Sequence, residues 1–229
     1  MKTRYRIFVA ALVLLLPSLA MAKPAYIFDV FLDDKKIGSH VFSFSFNDSG
    51  YLMQSSASYN VKVLFIDFYN YSHSSRETWN NGCLEEIASA TDDNGENYRI
   101  TGRAEEDALA LVINDEPVRH EMECPRTFVY WQPELLATEA LVNSQTGELE
   151  AVTLVDEGTK PLPWSDAEVT QSYRLETQEM SIELWYGKDN HWLGLRSTLD
   201  SGRTLSYRPA ISTLKNNPFE GVDAQETAP

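Results

Sequence analysis

One predicted strand carries three side chains whose types could form a catalytic triad. His73, Ser75 and Glu77 stand at every second position and match the base, nucleophile and orienting acid of a hydrolase. Side chains two residues apart on a strand are about 7 Å from one another, too far for a triad built on one strand. The sequence contains no Gly-x-Ser-x-Gly motif, the turn that presents the serine in many hydrolases. We therefore predict no catalytic residues and expect a buried polar network, either His73 with Glu77 or Arg76 with Glu77.

Two further groups of residues could bind metal ions or activate water, and both have a simpler interpretation. His120, Met122 and Cys124 share one strand face, but two possible ligands are too few for a tetrahedral zinc site. The adjacent acids lack the spacing of a calcium loop, and neighbours on a strand point to opposite faces. We interpret these acids as solvated turns; they are Glu85-Glu86, Asp92-Asp93 and Glu105-Glu106-Asp107. No metal site and no cofactor are predicted.

Aromatic side chains are the strongest candidates for ligand binding. Plain core packing is the alternative interpretation of the same residues. A cleft for an apolar or amphipathic ligand such as a lipid chain would use them as its lining, with His40 or His73 as its polar contacts. Phe46, Tyr130 and Trp131 add to this aromatic set. The predicted ligand-binding residues are Phe42, Phe44, Tyr59, Tyr71, His73, Trp185 and Trp192.

Cys83 and Cys124 are the two cysteines of the chain. In an oxidising compartment they are predicted to form a disulfide. Closing a loop of about 40 residues would contribute roughly 4 kcal/mol in the loop-entropy model. Two separate buried thiols are one alternative, and a cysteine-based metal or redox site is another, although the chain has no Cys-x-x-Cys.

The elements that must position these residues are strands that alternate apolar and polar side chains. Asn, Asp and Gly clusters such as Asn80-Asn81-Gly82 separate them and predict hairpin turns. One short helix is predicted over Glu134 to Val142, after Pro133. About a dozen strands with short turns predict an all-β fold, a single large antiparallel sheet curled into a barrel or half-barrel. A two-sheet sandwich is the alternative.

The N-terminal residues are typical of a cleavable export signal. Three basic residues precede the apolar run Ile7 to Leu16, and Ala20-Met21-Ala22 forms a small-x-small site. We predict a signal peptide over residues 1–22 with cleavage after Ala22, and no transmembrane segment in the mature protein. No cysteine follows the apolar run to carry a lipid anchor, so a bacterial periplasm is the predicted location, with a eukaryotic secreted protein as the alternative. One β domain is predicted over residues 23–215 and a disordered tail over 216–229.

The charge of the chain argues against nucleic-acid binding. The full sequence has a net charge of −15, and removal of residues 1–22 takes away three basic residues and no acidic ones, leaving about −18. A surface this acidic repels phosphate backbones and anionic membranes.

Several segments resemble a family of Gram-negative envelope proteins that is known as a domain of unknown function. These segments are Tyr71-x-His73-x-x-x-Glu77-x-Trp79, Thr91-x-x-Asn94-Gly95, Phe128-x-Tyr130-Trp131-x-Pro133, Thr146-Gly147 and Leu184-Trp185-Tyr186. The resemblance implies an exported all-β domain and assigns no catalytic residue. In its strand pattern the chain is also distantly similar to periplasmic half-barrel proteins that carry lipoproteins or lipids. Fold alone does not establish function.

Three functions are consistent with these observations. The first is a non-enzymatic periplasmic binding or carrier protein whose half-barrel encloses a hydrophobic, lipid-like ligand. The second is an envelope interaction protein with a closed, dry barrel, which contacts a protein partner through an exposed edge or the aromatic segment near Trp131. The third is a hydrolase built around His73 or His120.

Overall fold

Thirteen antiparallel strands form one sheet in the part of the chain that the computed structural model describes, residues 23–63, 66–199, 201–210 and 217–220. A second, two-stranded sheet accompanies it. The predicted signal peptide, residues 1–22, lies outside these residues. The strands are β1 (Ala25–Leu32), β2 (Lys35–Phe46), β3 (Gly50–Val63), β4 (Ile66–Asn80), β5 (Cys83–Asp93), β6 (Glu96–Ala104), β7 (Ala108–Ile113), β8 (Glu116–Glu121), β9 (Ala140–Val142), β10 (Leu149–Ala151), β11 (Thr153–Leu162), β12 (Ser165–Glu176), β13 (Ser181–Tyr186), β14 (Trp192–Thr198) and β15 (Thr204–Pro209).

The order of the strands leaves the sheet open. It runs β11-β12-β13-β14-β15-β1-β2-β3-β4-β5-β6-β7-β8, so the last strand of the sequence pairs with the first. Strands β8 and β11 are its two edges. The predicted single antiparallel sheet is therefore confirmed in its half-barrel form, and the residues that the structure describes form neither a closed barrel nor a two-sheet sandwich.

Contacts between distant strands show how strongly the sheet curls. Phe42 on β2 and Trp192 on β14 have β1 and β15 between them, which in a flat sheet means about 14 Å. Their ring centroids are 5.5 Å apart. Phe28 on β1 is closer still to Trp192, at 4.3 Å. The buried aromatic side chains of both halves therefore meet over one concave face.

Residues 122–152, here called the crossing segment, connect the two edges of the sheet across this concave face. The side chains of Val129, Trp131, Leu136 and Leu141 are buried in the same core cluster as those of the sheet. The segment contains a 3-10 helical turn, Pro133–Leu136, and the β9–β10 pair. It thus packs against the concave face of the curled sheet.

The predicted helix over Glu134 to Val142 is wrong after its first turn. Only Pro133–Leu136 is helical, as a 3-10 turn, and Ala140–Val142 is a strand paired with Leu149–Ala151. Proline favours the start of a helix but does not extend it. The strand pairing, together with a hydrogen bond from the Val142 N–H to the Arg126 carbonyl, satisfies backbone groups that a helix would have paired internally. Among the described residues, no helix has the length and apolar character needed to cross a bilayer.

The disulfide between Cys83 and Cys124 is confirmed. Cys83 opens β5, and Cys124 stands near the start of the crossing segment, with 5.0 Å between the two Cα atoms. The Leu84 N–H also donates to the carbonyl of Pro125 at 2.8 Å. The start of the crossing segment is therefore fixed to β5, the fourth strand from the β8 edge of the sheet.

A short turn near the C-terminus packs against the sheet. Phe219 lies 5.0 Å from Phe44 and 5.1 Å from Phe46, measured between ring centroids. Asn217 accepts a hydrogen bond from the Tyr26 hydroxyl at 2.9 Å. Residues 217–220 fall within the predicted tail over 216–229, the other residues of which lie outside the described ones; the boundary of the β domain at residue 215 stays a prediction.

Candidate ligand-binding site

A band of small and polar side chains crosses the concave face of β2, β3, β4 and β5. Strand register places them in two adjacent rows of cross-strand neighbours, His40–Ala57–His73–Thr91 and Phe42–Ser55–Ser75–Ser89. Elsewhere this face carries large apolar side chains such as Phe44 and Trp79. Serine and alanine fill less volume than those neighbours, so they leave space above the sheet.

A cavity of about 160 Å³ lies above this band. The sheet contributes Ser55, Ser75, Tyr71, His73 and Glu77 on one side. The crossing segment covers it from the other side with Thr127, Phe128, Tyr130, Trp131, Asn143, Ser144 and Gln145. Two buried hydroxyl groups join the two sides, because Thr91 donates to the Gln145 carbonyl at 3.0 Å and Ser89 donates to the Ser144 carbonyl at 2.7 Å.

The lining of the cavity is apolar toward β13, β14 and β15. Its side chains there include Ile182, Leu195 and Leu205. Met180 and Leu199, in the turns that begin β13 and end β14, also line it and are 37% and 38% exposed. We call these two residues the apolar rim. The cavity therefore has a polar side on β2–β5 and an apolar side that continues to exposed side chains.

Glu77 is the centre of the polar network beside this cavity. Its carboxyl group is 1% exposed and accepts hydrogen bonds from Ser75 Oγ at 3.2 Å, Trp79 Nε1 at 3.0 Å and Thr127 Oγ1 at 2.9 Å. Burial raises the pKa of this carboxyl to about 7, although the three donors act in the opposite direction. The bond to Thr127 links strand β4 to the crossing segment.

The expectation that side chains two residues apart on β4 are too distant to bond was wrong for Ser75 and Glu77. Ser75 does contact Glu77, because the glutamate side chain is long and leans along the strand. The predicted partners of Glu77 are also wrong: His73 Nδ1 lies 3.0 Å from Thr91 Oγ1, and Arg76 is exposed on the opposite face. These hydrogen bonds leave Ser75 without an imidazole base beside it.

Both histidines of the band are held neutral by burial. Burial lowers the pKa of His73 to about 4 and lowers that of His40 well below its usual range. His40 Nδ1 lies 3.3 Å from the Tyr207 hydroxyl and 3.4 Å from the Tyr59 hydroxyl, and these two hydroxyls also bond to each other. His40 Nε2 is shielded from solvent and has no hydrogen-bond partner.

The other candidate chemical groups are occupied by structural contacts. His120 Nε2 lies 2.8 Å from the Gly147 carbonyl, and Cys124 is in the disulfide. Within the described ranges, no three His, Cys, Asp or Glu side chains are grouped as metal ligands.

The seven predicted ligand-binding residues divide into three groups. Phe42, Tyr71 and His73 line the cavity. Phe44, Tyr59 and Trp192 are buried in the core without lining it. Trp185 packs with Leu162, Leu193 and Trp164 in a small separate cluster, on the opposite face of β13 from Leu184 and Tyr186. A role in ligand binding stays a prediction for all seven.

Sequence reasoning missed several residues of the cavity. Ser55 and Ser197 were passed over, although Ser55 interrupts the apolar phase of the regularly alternating strand β3, and Ser197 follows Leu195 by two positions at the end of β14. A polar residue in the apolar phase is the signal that indicates such a position. No comparable signal marks Thr127, because its contact with Glu77 joins residues that are 50 positions apart.

Comparisons with known proteins agree with the fold. A family model described as Domain of unknown function (DUF6134) matches residues 28–210. The chain is also similar to the crystal structure of a beta-barrel-like protein of a domain of unknown function, DUF1849, from Brucella abortus. That likeness has a TM-score of 0.61 and 10% sequence identity, and it covers 82% of this chain and 96% of the other. No curated protein matches the chain. The expected resemblance to an uncharacterised domain family is thereby confirmed.

Proposed function

The chain belongs to the DUF6134 family of domains of unknown function, and from that premise we propose that it is a non-enzymatic binding or carrier protein for a hydrophobic, lipid-like ligand. The observation that carries the proposal is the two-sided cavity, polar toward β2–β5 and apolar toward the rim of Met180 and Leu199. An exposed apolar surface that continues into a cavity is typical of a binding site.

The size of the cavity limits how much of a ligand it holds. Its 160 Å³ is close to the volume that accommodates a six-carbon ring, and it is below the range of about 300–1,000 Å³ for drug-sized ligands. The cavity therefore takes the head of an amphiphile and its first carbons. The rest of the chain would lie on the apolar rim or displace part of the crossing segment.

We place this function in the periplasm. The disulfide between Cys83 and Cys124 supports an oxidising compartment. The N-terminal sequence pattern supports export through a signal peptide that is cleaved after Ala22.

An envelope interaction protein is the second candidate function, and the small volume of the cavity is the observation that favours it. Trp131 itself is buried under the sheet's aromatic side chains and is not available for such a contact. The edge strands β8 and β11 would then be the surfaces that meet a protein partner.

Two measurements test the binding function. Organic extraction of the purified protein followed by mass spectrometry should recover a lipid-like molecule. Binding of the fluorescent apolar probe N-phenyl-1-naphthylamine should weaken about tenfold, or ~1.4 kcal/mol, in the double variant Met180→Gln/Leu199→Gln. Both side chains are exposed, so thermal stability should hardly change.

The matched control is the double variant Val112→Gln/Leu149→Gln. These residues are the other large exposed hydrophobic side chains of the described chain, 43% and 39% exposed, and they do not line the cavity. This control should bind the probe like the wild type. Equal binding by both double variants, or an empty extract together with no probe binding, would contradict the proposed function and favour the interaction protein.

A further inference from the structure

We propose that the ligand carries an uncharged oxygen-containing head, a hydroxyl or carbonyl group, in place of a phosphate, carboxylate or amine. This inference rests on the proposed binding function and specifies the class of ligand: single-chain alcohols, monoacylglycerols and similar neutral amphiphiles.

The cavity offers no counter-ion to an anionic head. Among the described residues that line it there is no lysine and no arginine. The nearby arginine of β4, Arg76, is exposed on the convex face. An anion that leaves water without a cationic partner loses its hydration with little compensation. A phosphate or carboxylate is therefore a poor fit.

The ionisable groups of the lining do not change this conclusion. His40 and His73 are neutral at neutral pH, because burial lowers the pKa of both imidazoles. Glu77 is the acid of the lining, and both of its oxygens already accept hydrogen bonds from Ser75, Trp79 and Thr127. Oε1 accepts one of these bonds and Oε2 two, and burial raises the pKa of the carboxyl to about 7, so at neutral pH it offers an amine one free lone pair and only a partial negative charge. An ammonium group would give up its hydration for that single contact, so a cationic head is also a poor fit.

Two buried polar atoms of the lining have no hydrogen-bond partner, His40 Nε2 and Ser197 Oγ. The hydroxyls of Tyr59 and Tyr207 form one hydrogen bond with each other. The hydroxyl that accepts this bond still has its own proton, which it can donate to His40 Nδ1. That arrangement leaves the proton of the neutral imidazole on Nε2, as a donor. Buried polar groups in folded proteins normally have partners. A ligand hydroxyl or carbonyl supplies one without bringing a charge.

The test compares single-chain amphiphiles with the same twelve-carbon tail. Dodecanol, monolauroylglycerol, laurate, dodecyl phosphate and dodecylamine would each compete with N-phenyl-1-naphthylamine at neutral pH, below their solubility limits or critical micelle concentrations. We expect the two neutral compounds to bind at least about tenfold more tightly than the three charged ones. Equal or tighter binding of a charged compound would overturn the inference and leave the binding function standing. Failure of all five, with no probe bound, would overturn both.

A pair of serine variants separates the head contact from general effects on the fold. Ser197→Ala removes the unpartnered hydroxyl in the cavity and should weaken monolauroylglycerol several-fold. Ser172→Ala removes another buried, unpartnered hydroxyl that does not line the cavity, and should leave binding unchanged. Unchanged affinity in Ser197→Ala would remove this serine from the head site and count against the inference.

Discussion

Glu77 shows how a single residue links the sheet, the crossing segment and the cavity. As a neutral acid it can donate from Oε1 to Ser75 while Oε2 accepts from Trp79 and Thr127. The tryptophan N–H can only donate, whereas the hydroxyl of Ser75 can accept. The network is therefore satisfied with the carboxyl group either protonated or charged, and burial decides between the two states.

The stability of the protein should depend on pH through this carboxyl group. Its pKa rises from 4.5 to about 7 in the folded chain, so the unfolded chain loses its proton first. The contribution of Glu77 is fully present below about pH 4.5 and is lost as pH rises through 7. A shift of this size corresponds to about 3 kcal/mol at most. Urea unfolding of Glu77→Gln and wild type at pH 5 and pH 8 measures it, and the variant should gain relative stability at the higher pH.

Comparing Glu77→Gln with the wild type separates the pH dependence due to Glu77 from that of groups whose contribution to stability is lost at low pH. The pKa of His73 falls to about 4, so its contribution is present above its unfolded value of 6.5 and is lost as pH falls. Both proteins contain His73, and its effect cancels in the difference. A difference in unfolding free energy that stays constant between pH 5 and pH 8 would show that Glu77 titrates normally.

Individual residues also show where sequence reasoning stops. The alternation of Tyr71, His73, Ser75 and Glu77 was enough to place them on one buried face. The hydrogen-bond partners of Glu77 and His73 could not be predicted from the sequence. Thr127, which bonds to Glu77, lies in the crossing segment, and Thr91, which bonds to His73, lies on β5. A hydrogen bond between distant positions leaves no periodic trace in a sequence.

Strands were predictable as elements because each one buries a single face. Period-two alternation and Asn/Asp/Gly turns mark β2, β3, β4 and β5, and positive φ angles at Asn81 and Asn94 match the turns that follow β4 and β5. The crossing segment was not predictable in the same way. Its burial alternates with period two over residues 125–133, but apolar side chains stand in both phases of that stretch, so the sequence shows no apolar–polar alternation that marks the buried side.

The turn at residues 217–220 is an element whose contribution can be measured. Phe219→Ala removes a ring that contacts Phe44, Phe46 and Tyr51, and should lower the unfolding free energy by about 1–2 kcal/mol. The loss is smaller than for a fully buried phenylalanine, because Phe219 is only half-buried. Urea unfolding measures it, with Val112→Ala on an exposed strand position as the control. An unchanged midpoint would mean that this turn does not stabilise the sheet.

At the scale of the whole molecule, an open sheet needs protection at its two edges. The edge strand β11 is interrupted by Gly158, at a φ of 71°, and by Pro161, which lacks an N–H. The edge strand β8 carries Pro117, and its Arg119 pairs with Glu105, Asp107 and Glu121. Irregular backbone and charge both discourage pairing with a further strand. The half-barrel can therefore remain open without adding a strand from another chain, and a protein partner that meets these edges would contact their side chains instead of pairing with their backbone.

The disulfide determines how firmly the crossing segment covers the concave face. Cys83 and Cys124 are 41 positions apart, and closing a loop of that length restricts the unfolded chain by about 4 kcal/mol in the loop-entropy model. Reduction of the folded protein, or the double variant Cys83→Ser/Cys124→Ser, should lower the unfolding free energy by an amount of this order. The free energy is measured by urea unfolding with and without reductant. The double variant should match the reduced wild type and should not respond to reductant, whereas an unfolding midpoint that reduction leaves unchanged would show that β5 and the crossing segment hold together without the covalent bond.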